Sequence, residues 1–356
     1  MTDINIYKML NLSKNMTKRN ARMILTVPPL AKFKDIAANP LVESVRLNTT
    51  LKIDTPLENI LYNAKTEADT KPVWIDLKTR QLRIADYNVR FLTDREIHSI
   101  TLSHKIKLNL PAEVFVDNAH YIGKVKDLVN DDTLVIESSV EKKSGIPLPE
   151  QGKIGIRPGM SVNIVDPSLV IDGYFTEKDL RYIEAAKKLG MNNFMLSFVE
   201  KESDITDLLT LSPKANIIAK IESPKGLEFV DKTYSNYKGN VNLMAARGDL
   251  YTELDRPDEI IDACKKIRKA NRNAVFASRM LESLINIDEI PRCSELFDVY
   301  CGLLMGYKRF MVGDDVCARR NSVKSALGIF GILKDKYEST QKHSIGEILS
   351  GGFGEK

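Results

Sequence analysis

The chain has 356 residues, 43% hydrophobic and 28% charged, with a formal net charge of +4. That is an ordinary globular composition with room for a large core and two domains, and the small charge excess allows anionic substrates without arguing for nucleic acid. No apolar run is long enough to cross a membrane, and the first residues lack a signal-peptide core. The cysteines Cys264, Cys293, Cys301 and Cys317 form no CxxC pair, so free thiols in a reducing, cytoplasmic setting are expected. The histidines His98, His104, His120 and His343 fall outside the strands described below, which weakens His-based metal or triad chemistry.

Residues 1 to about 20 are polar and basic and read as a leader. Ala21 to Thr26 is a strand ending in Val27-Pro28-Pro29. Val45 to Asn48 is a second apolar run, followed by a helix over roughly Pro56 to Thr66. Val73 to Leu77 is a third strand, leaving into Lys78-Thr79-Arg80-Gln81-Leu82-Arg83. From about Ile84 the character changes. Short alternating runs such as Glu113 to Val116 and Thr133 to Glu137 are separated by turn signals at Asn130-Asp131-Asp132, Lys142 to Gly145 and Pro158-Gly159. Residues 84–170 therefore read as a small all-β domain inserted between two parts of a larger one, 21–83 and 171–338.

Strand–helix alternation then resumes. Thr176 to Leu189 is a helix with an N-cap at Thr176 and Gly190 past its end. Strands follow at Phe194 to Ser197, Ile217 to Ile221, Val241 to Ala246, Ala274 to Ala277 and Arg309 to Gly313. Helices are expected at Glu202 to Leu211, Gly226 to Thr233, Asp258 to Ala270, Glu295 to Met305 and Ser322 to Tyr337, with 339–356 as a flexible tail. About eight strands, most followed by a helix, predict a (β/α)8 TIM barrel carrying an inserted β domain. A doubly wound open sheet fits less well, because Val27-Pro28-Pro29-Leu30 cannot serve as a glycine-rich dinucleotide turn. No GxxxxGK[ST] loop is present either.

In such a barrel, function sits at the C-terminal strand ends. Lys220 and Glu222 leave one apolar strand and face the same way, since side chains alternate. An unpaired Lys220 would be costly there, so an anionic partner or ligand is required. Other strand ends carry Arg46, Asn48, Asp76, Lys78, Arg83, Ser197, Arg247-Gly248-Asp249, Ser278-Arg279 and Asp314. Adjacent strands lie about 4.8 Å apart, so Glu222 and Asp249 could share one hard cation such as Mg²⁺ or Mn²⁺. Arg46 and Arg83 suit phosphate oxygens. A plain structural reading remains open for each: Arg46 could simply pair with Asp76, and Lys78 and Arg83 could be solvated charges near the insert.

Several stretches resemble the pyruvate kinase family, in order and over nearly the whole chain. Lys220-Ile221-Glu222 resembles its KIE motif. Met244-Ala245-Ala246-Arg247-Gly248-Asp249-Leu250 resembles MVARGDL, and Ala277-Ser278-Arg279-Met280-Leu281-Glu282-Ser283 resembles ATQMLES. Arg46-Leu47-Asn48-Thr49-Thr50 is similar to RLNFS, Asp76 through Arg83 to DTKGPEIR, and Thr176-Glu177-Lys178-Asp179 to SEKD. The resemblance implies transfer of a phosphoryl group from phosphoenolpyruvate to ADP, giving pyruvate and ATP as in glycolysis, with the inserted β domain as a mobile lid. It implies Glu222 and Asp249 as divalent-metal ligands, Lys220 as the cation stabilising the transferring phosphoryl and enolate, and Arg46 as phosphate clamp. Ser278 stands where a Thr hydroxyl serves the enolate's proton relay. Ala246, Arg247, Gly248 and Asp249 line the substrate side, with the N–H groups of Gly248 and Asp249 on its carboxylate. Arg83, Lys178, Thr26 and Pro29 fall on the nucleotide side.

The departures carry expectations of their own. Of the family's monovalent-cation ligands, Asn48, Thr50 and Asp76 remain, but Leu77 replaces a Thr and Gln81 a nearby Glu, so K⁺ dependence should be weak or absent. Arg279 replaces Gln, Tyr251 replaces Gly, and Asp314-Asp315 stands in a GET segment. The sequence ends after the barrel, so the family's C-terminal regulatory domain and its sugar-phosphate allostery are expected to be missing. A homo-oligomer is compatible with the sequence. The competing readings are a divalent-metal aldolase or lyase of 2-oxo acids on the same platform, and a non-catalytic regulatory paralogue.

Overall fold

The computed structural model describes residues 21–50, 54–89, 91–92, 96–117, 121–139, 154–286 and 290–342. The expected leader, the turn at Lys142 to Gly145 and the tail beyond residue 342 lie outside them. Eight short strands make one closed parallel barrel: β1 (Arg22–Val27), β2 (Val42–Asn48), β3 (Val73–Leu77), β4 (Asn193–Leu196), β5 (Asn216–Ile221), β6 (Val241–Ala246), β7 (Val275–Ala277) and β8 (Arg309–Met311). Each pairs with its neighbours in sequence, and β1 closes on β8 through Met23 opposite Phe310 and Ile24 opposite Met311. The chain is thus an α/β barrel, as its strand–helix alternation predicts.

Because every strand is covered on both faces, both faces are apolar over most of their length. One face packs outward against the helices in a large core that includes Leu25, Leu47, Ile75, Phe194, Ile217 and Phe310. The other face fills the barrel interior with Ile24, Trp74, Met195, Ile218, Met244, Val275 and Met311. Two residues further along the same strands, hence on the same inner face, the side chains are Thr26, Arg46, Asp76 and Lys220, all buried. An apolar layer therefore floors a charged one.

The helices are α1 (Lys34–Ala37), α2 (Leu57–Ala68), α3 (Glu177–Lys188), α4 (Glu202–Leu211), α5 (Pro224–Lys232), α6 (Arg247–Glu253), α7 (Glu259–Ala270), α8 (Cys293–Leu304), α9 (Asp314–Cys317) and α10 (Arg320–Lys342). Thr176 caps α3 in a reciprocal capping box with Asp179. The last helix runs through Lys342, four residues into the stretch expected to be loose, since no Gly or Pro interrupts residues 332–342.

Between β3 and α3, a six-stranded antiparallel sheet takes the order Val162–Asn163, Ala112–Val116, Tyr121–Val129, Thr133–Ser139, Ile97–Leu102, Ile84–Tyr87. It has its own core, with Ile84, Ile100, Val114, Val125, Leu134 and Ile136. Glu113 to Val116 and Thr133 to Glu137 fall within its strands, as their alternation predicts.

Candidate active site

The charged layer is built around Asp76, the penultimate residue of β3, which is fully buried. Three cations converge on its carboxylate. Arg46 donates to Oδ2 from Nε at 2.8 Å and again from Nη2. Lys78 donates to the same oxygen at 2.7 Å, and Lys220 lies 3.1 Å from Oδ1. Burial alone would raise the Asp76 pKa, yet Arg46, Lys220 and Lys78 hold it well below the usual carboxylate range. The pairing of Arg46 with Asp76 weighed from sequence is thus present, as one part of a larger cluster.

Lys220 also lies 3.5 Å from Glu222 Oε1. Burial works against its charge, but Asp76 and Glu222 outweigh it and raise its pKa, so Lys220 is an ammonium at neutral pH. Lys78 fares differently. Burial, reinforced by Lys220, Arg46 and Arg83, pulls it down to about 7 despite Asp76.

Glu222 accepts from the Phe198 N–H at 2.7 Å. Burial pushes its pKa up to about 7, with Asp249 adding repulsion and Lys220 opposing both. Asp249 sits in the first turn of α6 and accepts from Gln81 Nε2 at 3.0 Å and from Asn163 Nδ2 at 3.3 Å. Two carboxylates that repel one another in a buried mouth are short of positive charge. Among the described residues no group of three or more His, Cys, Asp or Glu side chains makes a metal cage. A pair of carboxylates without His or Cys fits a cation that keeps water and substrate oxygens as its other ligands, which is the habit of Mg²⁺.

The turn leaving β3 is held from behind. Thr79 takes a left-handed φ of 44°, and the Asp179 carboxylate accepts from the N–H groups of Lys78 at 2.9 Å and Thr79 at 3.0 Å. The same Asp179 closes the α3 capping box, so one carboxylate fixes both the helix start and the aim of Lys78.

Arg83 donates to Gly159 O at 2.5 Å and to Gln81 Oε1, tying the mouth to the inserted sheet, while its Nε is buried without a partner. Lys178 donates to Thr50 O at 3.1 Å. Thr26 accepts from Arg46 at 2.9 Å, and Pro29 lies in the turn after β1. Asn48 Oδ1 accepts from the N–H and hydroxyl of Thr50, at 3.0 and 2.8 Å.

Arg247 does not join the others. Its guanidinium forks onto Asp298 of α8 at 2.5 and 2.9 Å, donates to the carbonyls of Ala277 and Ser278, and stacks 3.8 Å from the Phe276 ring centre. Expected on the substrate side, it instead braces the turn after β7. In that turn Ser278, Arg279 and Leu281 have φ of 69°, 54° and 57°. Ser278 faces Gly248, where an added Cβ would lie 3.6 Å from the Ser278 Cβ, an ordinary contact, so the fold itself does not demand glycine there. Arg279 lies 5.1 Å over the Tyr251 ring at the rim. Ala246 is buried at the end of β6, as part of the barrel-interior cluster.

The family model for the pyruvate kinase barrel domain matches residues 128–321, more than half of the chain. The chain belongs to the pyruvate kinase family. It is 31% identical over 207 residues to a pyruvate kinase of Agrobacterium vitis, covering 54% of this chain and 40% of that one. It is 24% identical over 322 residues to a pyruvate kinase of Borreliella burgdorferi, covering 85% and 65%. The chain thus spans less than two thirds of the length of these relatives. A solved pyruvate kinase of Cryptosporidium parvum shares the fold, with a TM-score of 0.72 over 93% of this chain and 73% of that chain, at 19% identity.

Against that family frame, three partners could not be assigned from sequence. Asn163, on the inserted sheet, donates to Asp249 and, at 2.8 Å, to Glu253. Asp298 captures Arg247, and Asp314 captures Arg46. The only sequence signal among them is Asp314, a carboxylate at a barrel strand end.

Proposed function

We propose that this pyruvate kinase family member transfers the phosphoryl group of phosphoenolpyruvate to ADP, with Mg²⁺ or Mn²⁺ bound and little need of K⁺. The observation that carries the reading is a buried Lys220 at the barrel mouth, 3.1 Å from Asp76 and 3.5 Å from Glu222, with Asp249 in the turn after the next strand. A buried lysine of this kind is costly as architecture and useful where anionic charge develops. Glu222 and Asp249 would hold the divalent cation, which supplies charge neutralisation for phosphoryl and enolate oxygens when bound. Lys220 would stabilise the same charge. Gly248 and Asp249 lie in the first turn of α6, where N–H groups lack intrahelical partners, and would suit the substrate carboxylate. Ser278, across from Gly248, would pass a proton toward the enolate carbon. Arg46 serves the phosphoryl end, while Arg83 and Lys178, with Thr26 and Pro29, serve ADP. Phosphoryl transfer needs little more than this positioning and electrostatics.

The weak K⁺ dependence rests on Asp76. Its carboxylate is already shared by Arg46, Lys78 and Lys220, and Asn48 is engaged with Thr50 and Asp314, so little of the Asn48, Thr50 and Asp76 oxygen set is left for a monovalent cation. The cap on Arg46 and the diversion of Arg247 favour, as a second reading, a paralogue that binds the same ligands without turnover.

Pyruvate formation from phosphoenolpyruvate by the full chain tests both. The proposal requires dependence on ADP and Mg²⁺ and near-indifference to K⁺. Pyruvate release without ADP would move the assignment to a lyase, strong K⁺ activation would overturn the Asp76 argument, and no turnover with retained binding would leave the regulatory reading.

A further inference from the structure

Asp314 lies three residues past the end of β8 and opens the four-residue helix α9. Both its oxygens accept from Arg46 Nη1, Oδ1 at 3.1 Å and Oδ2 at 3.0 Å, and Oδ1 also accepts from Asn48 Nδ2 at 2.9 Å. The other edge of the same guanidinium is spent on Asp76, and Nη1 also reaches the Thr26 hydroxyl. Nearly every N–H of Arg46 is therefore directed at a partner within the chain. The two carboxylates holding it are not equivalent. The Asp76 side chain is 0% exposed beneath three cations, whereas that of Asp314 is 48% exposed on a single helical turn.

An external anion that approaches Arg46 thus meets a carboxylate already seated there. A carboxylate and a phosphoryl group present the same face to a guanidinium, two oxygens accepting parallel N–H bonds. Asp76 cannot be displaced without stripping three buried cations, Arg46, Lys78 and Lys220, of a shared partner, which is strongly unfavourable. Asp314 can turn into solvent, giving up its hydrogen bonds to Arg46 and Asn48 while Arg46 stays paired with Asp76.

We propose that Asp314 is an affinity-setting residue: an internal anion that occupies the phosphoryl position on Arg46 and Asn48 and must be displaced by phosphoryl-bearing ligands. The identity of the natural ligand rests on the function proposed above, but the competition itself does not. Displacement subtracts the lost Arg46–Asp314 pair from ligand affinity, so the chain binds phosphoryl groups more weakly than an open arginine clamp would.

Calorimetric titration of inorganic phosphate into the full chain tests this without requiring turnover. Asp314→Ala and Asp314→Asn are the variants, and thermal melting confirms that each is folded. Both are expected to bind phosphate about fivefold more tightly than the unsubstituted chain, and the gain should vanish in Asp314→Ala combined with Arg46→Met. Unchanged or weaker binding in both single variants overturns the proposal, as does a gain that survives loss of Arg46. A phosphoenolpyruvate assay run in parallel separates the two claims. Tighter phosphate with no turnover in any variant sustains the role of Asp314 while removing the kinase reading. Turnover with a KM for phosphoenolpyruvate that Asp314→Ala fails to lower sustains the kinase reading and removes the role of Asp314.

Discussion

Two adjacent layers inside one barrel contrast sharply although they share strands and face. The lower layer, with Ile24, Trp74, Met195, Ile218 and Met244, is apolar. The upper, one inward-facing position further along, holds Thr26, Arg46, Asp76 and Lys220. Burying the lower layer stabilises the fold through apolar area removed from water. Burying the upper layer works against it, because paired charges barely recover their desolvation cost and unpaired ones do not. Nothing in backbone geometry separates the layers; on the proposed function, the difference comes from what the mouth handles. Substitutions below should therefore change stability and spare chemistry, and substitutions above should do the reverse.

Ile218 gives the largest expected effect on the structural side. Ile218→Ala opens a cavity inside the barrel and should cost about 2–5 kcal/mol in urea unfolding, with metal binding retained once the protein is folded. A loss below about 1 kcal/mol would break the contrast by showing that the lower layer is loosely packed.

Glu222 is the counterpart above. Glu222→Gln keeps the shape but removes one of the two carboxylates proposed to hold the metal, and Mn²⁺ affinity measured by calorimetry should fall on the order of 100-fold, with little change in melting temperature. Equal Mn²⁺ binding by both proteins would place the metal elsewhere.

Glu253 sharpens the comparison at the seam with the inserted sheet. Burial pushes its carboxyl up to about 8, with Asp249, Glu200 and Glu222 adding to the rise and the Asn163 hydrogen bond opposing it. From its ordinary value of 4.5 up to that pH, the folded chain keeps a proton that the unfolded chain releases, so stability falls as pH rises through this window. Glu253 retains partial exposure, which moderates the penalty. Glu253→Gln should be more stable than the unsubstituted chain at pH 8.5, by on the order of 1–2 kcal/mol in urea unfolding, with the gap closing toward pH 4.5. A constant gap across that range would contradict the assignment.

Much of this contrast is legible in the sequence. Strand–helix alternation gives the barrel, and the period of two along Ile218-Ala219-Lys220-Ile221-Glu222 puts Lys220 and Glu222 on one face above Ile218. Thr176 as a helix cap is equally plain, because capping is local. Partner choice is not local. Arg46 meets Asp76 and Asp314 across 30 and 268 residues, and Arg247 turns to Asp298 across 51. Which face of α8 meets β7, and where α9 begins relative to β2, depend on barrel closure and helix packing, which no short stretch of sequence encodes. Asn163 reaches Asp249 only because the inserted sheet folds back onto α6, so its role has no sequence signature.

Lys220 is where the two layers' opposite roles meet most directly. Lys220→Met keeps the volume and leaves Asp76 with Arg46 and Lys78 as partners. Phosphoenolpyruvate-dependent phosphorylation of ADP and thermal melting, measured on the same preparation, should show a rate about 10³-fold lower with the melting temperature nearly unchanged. A variant that keeps its rate, or one that loses its fold along with it, would contradict the claim that the upper layer is held for chemistry rather than for architecture.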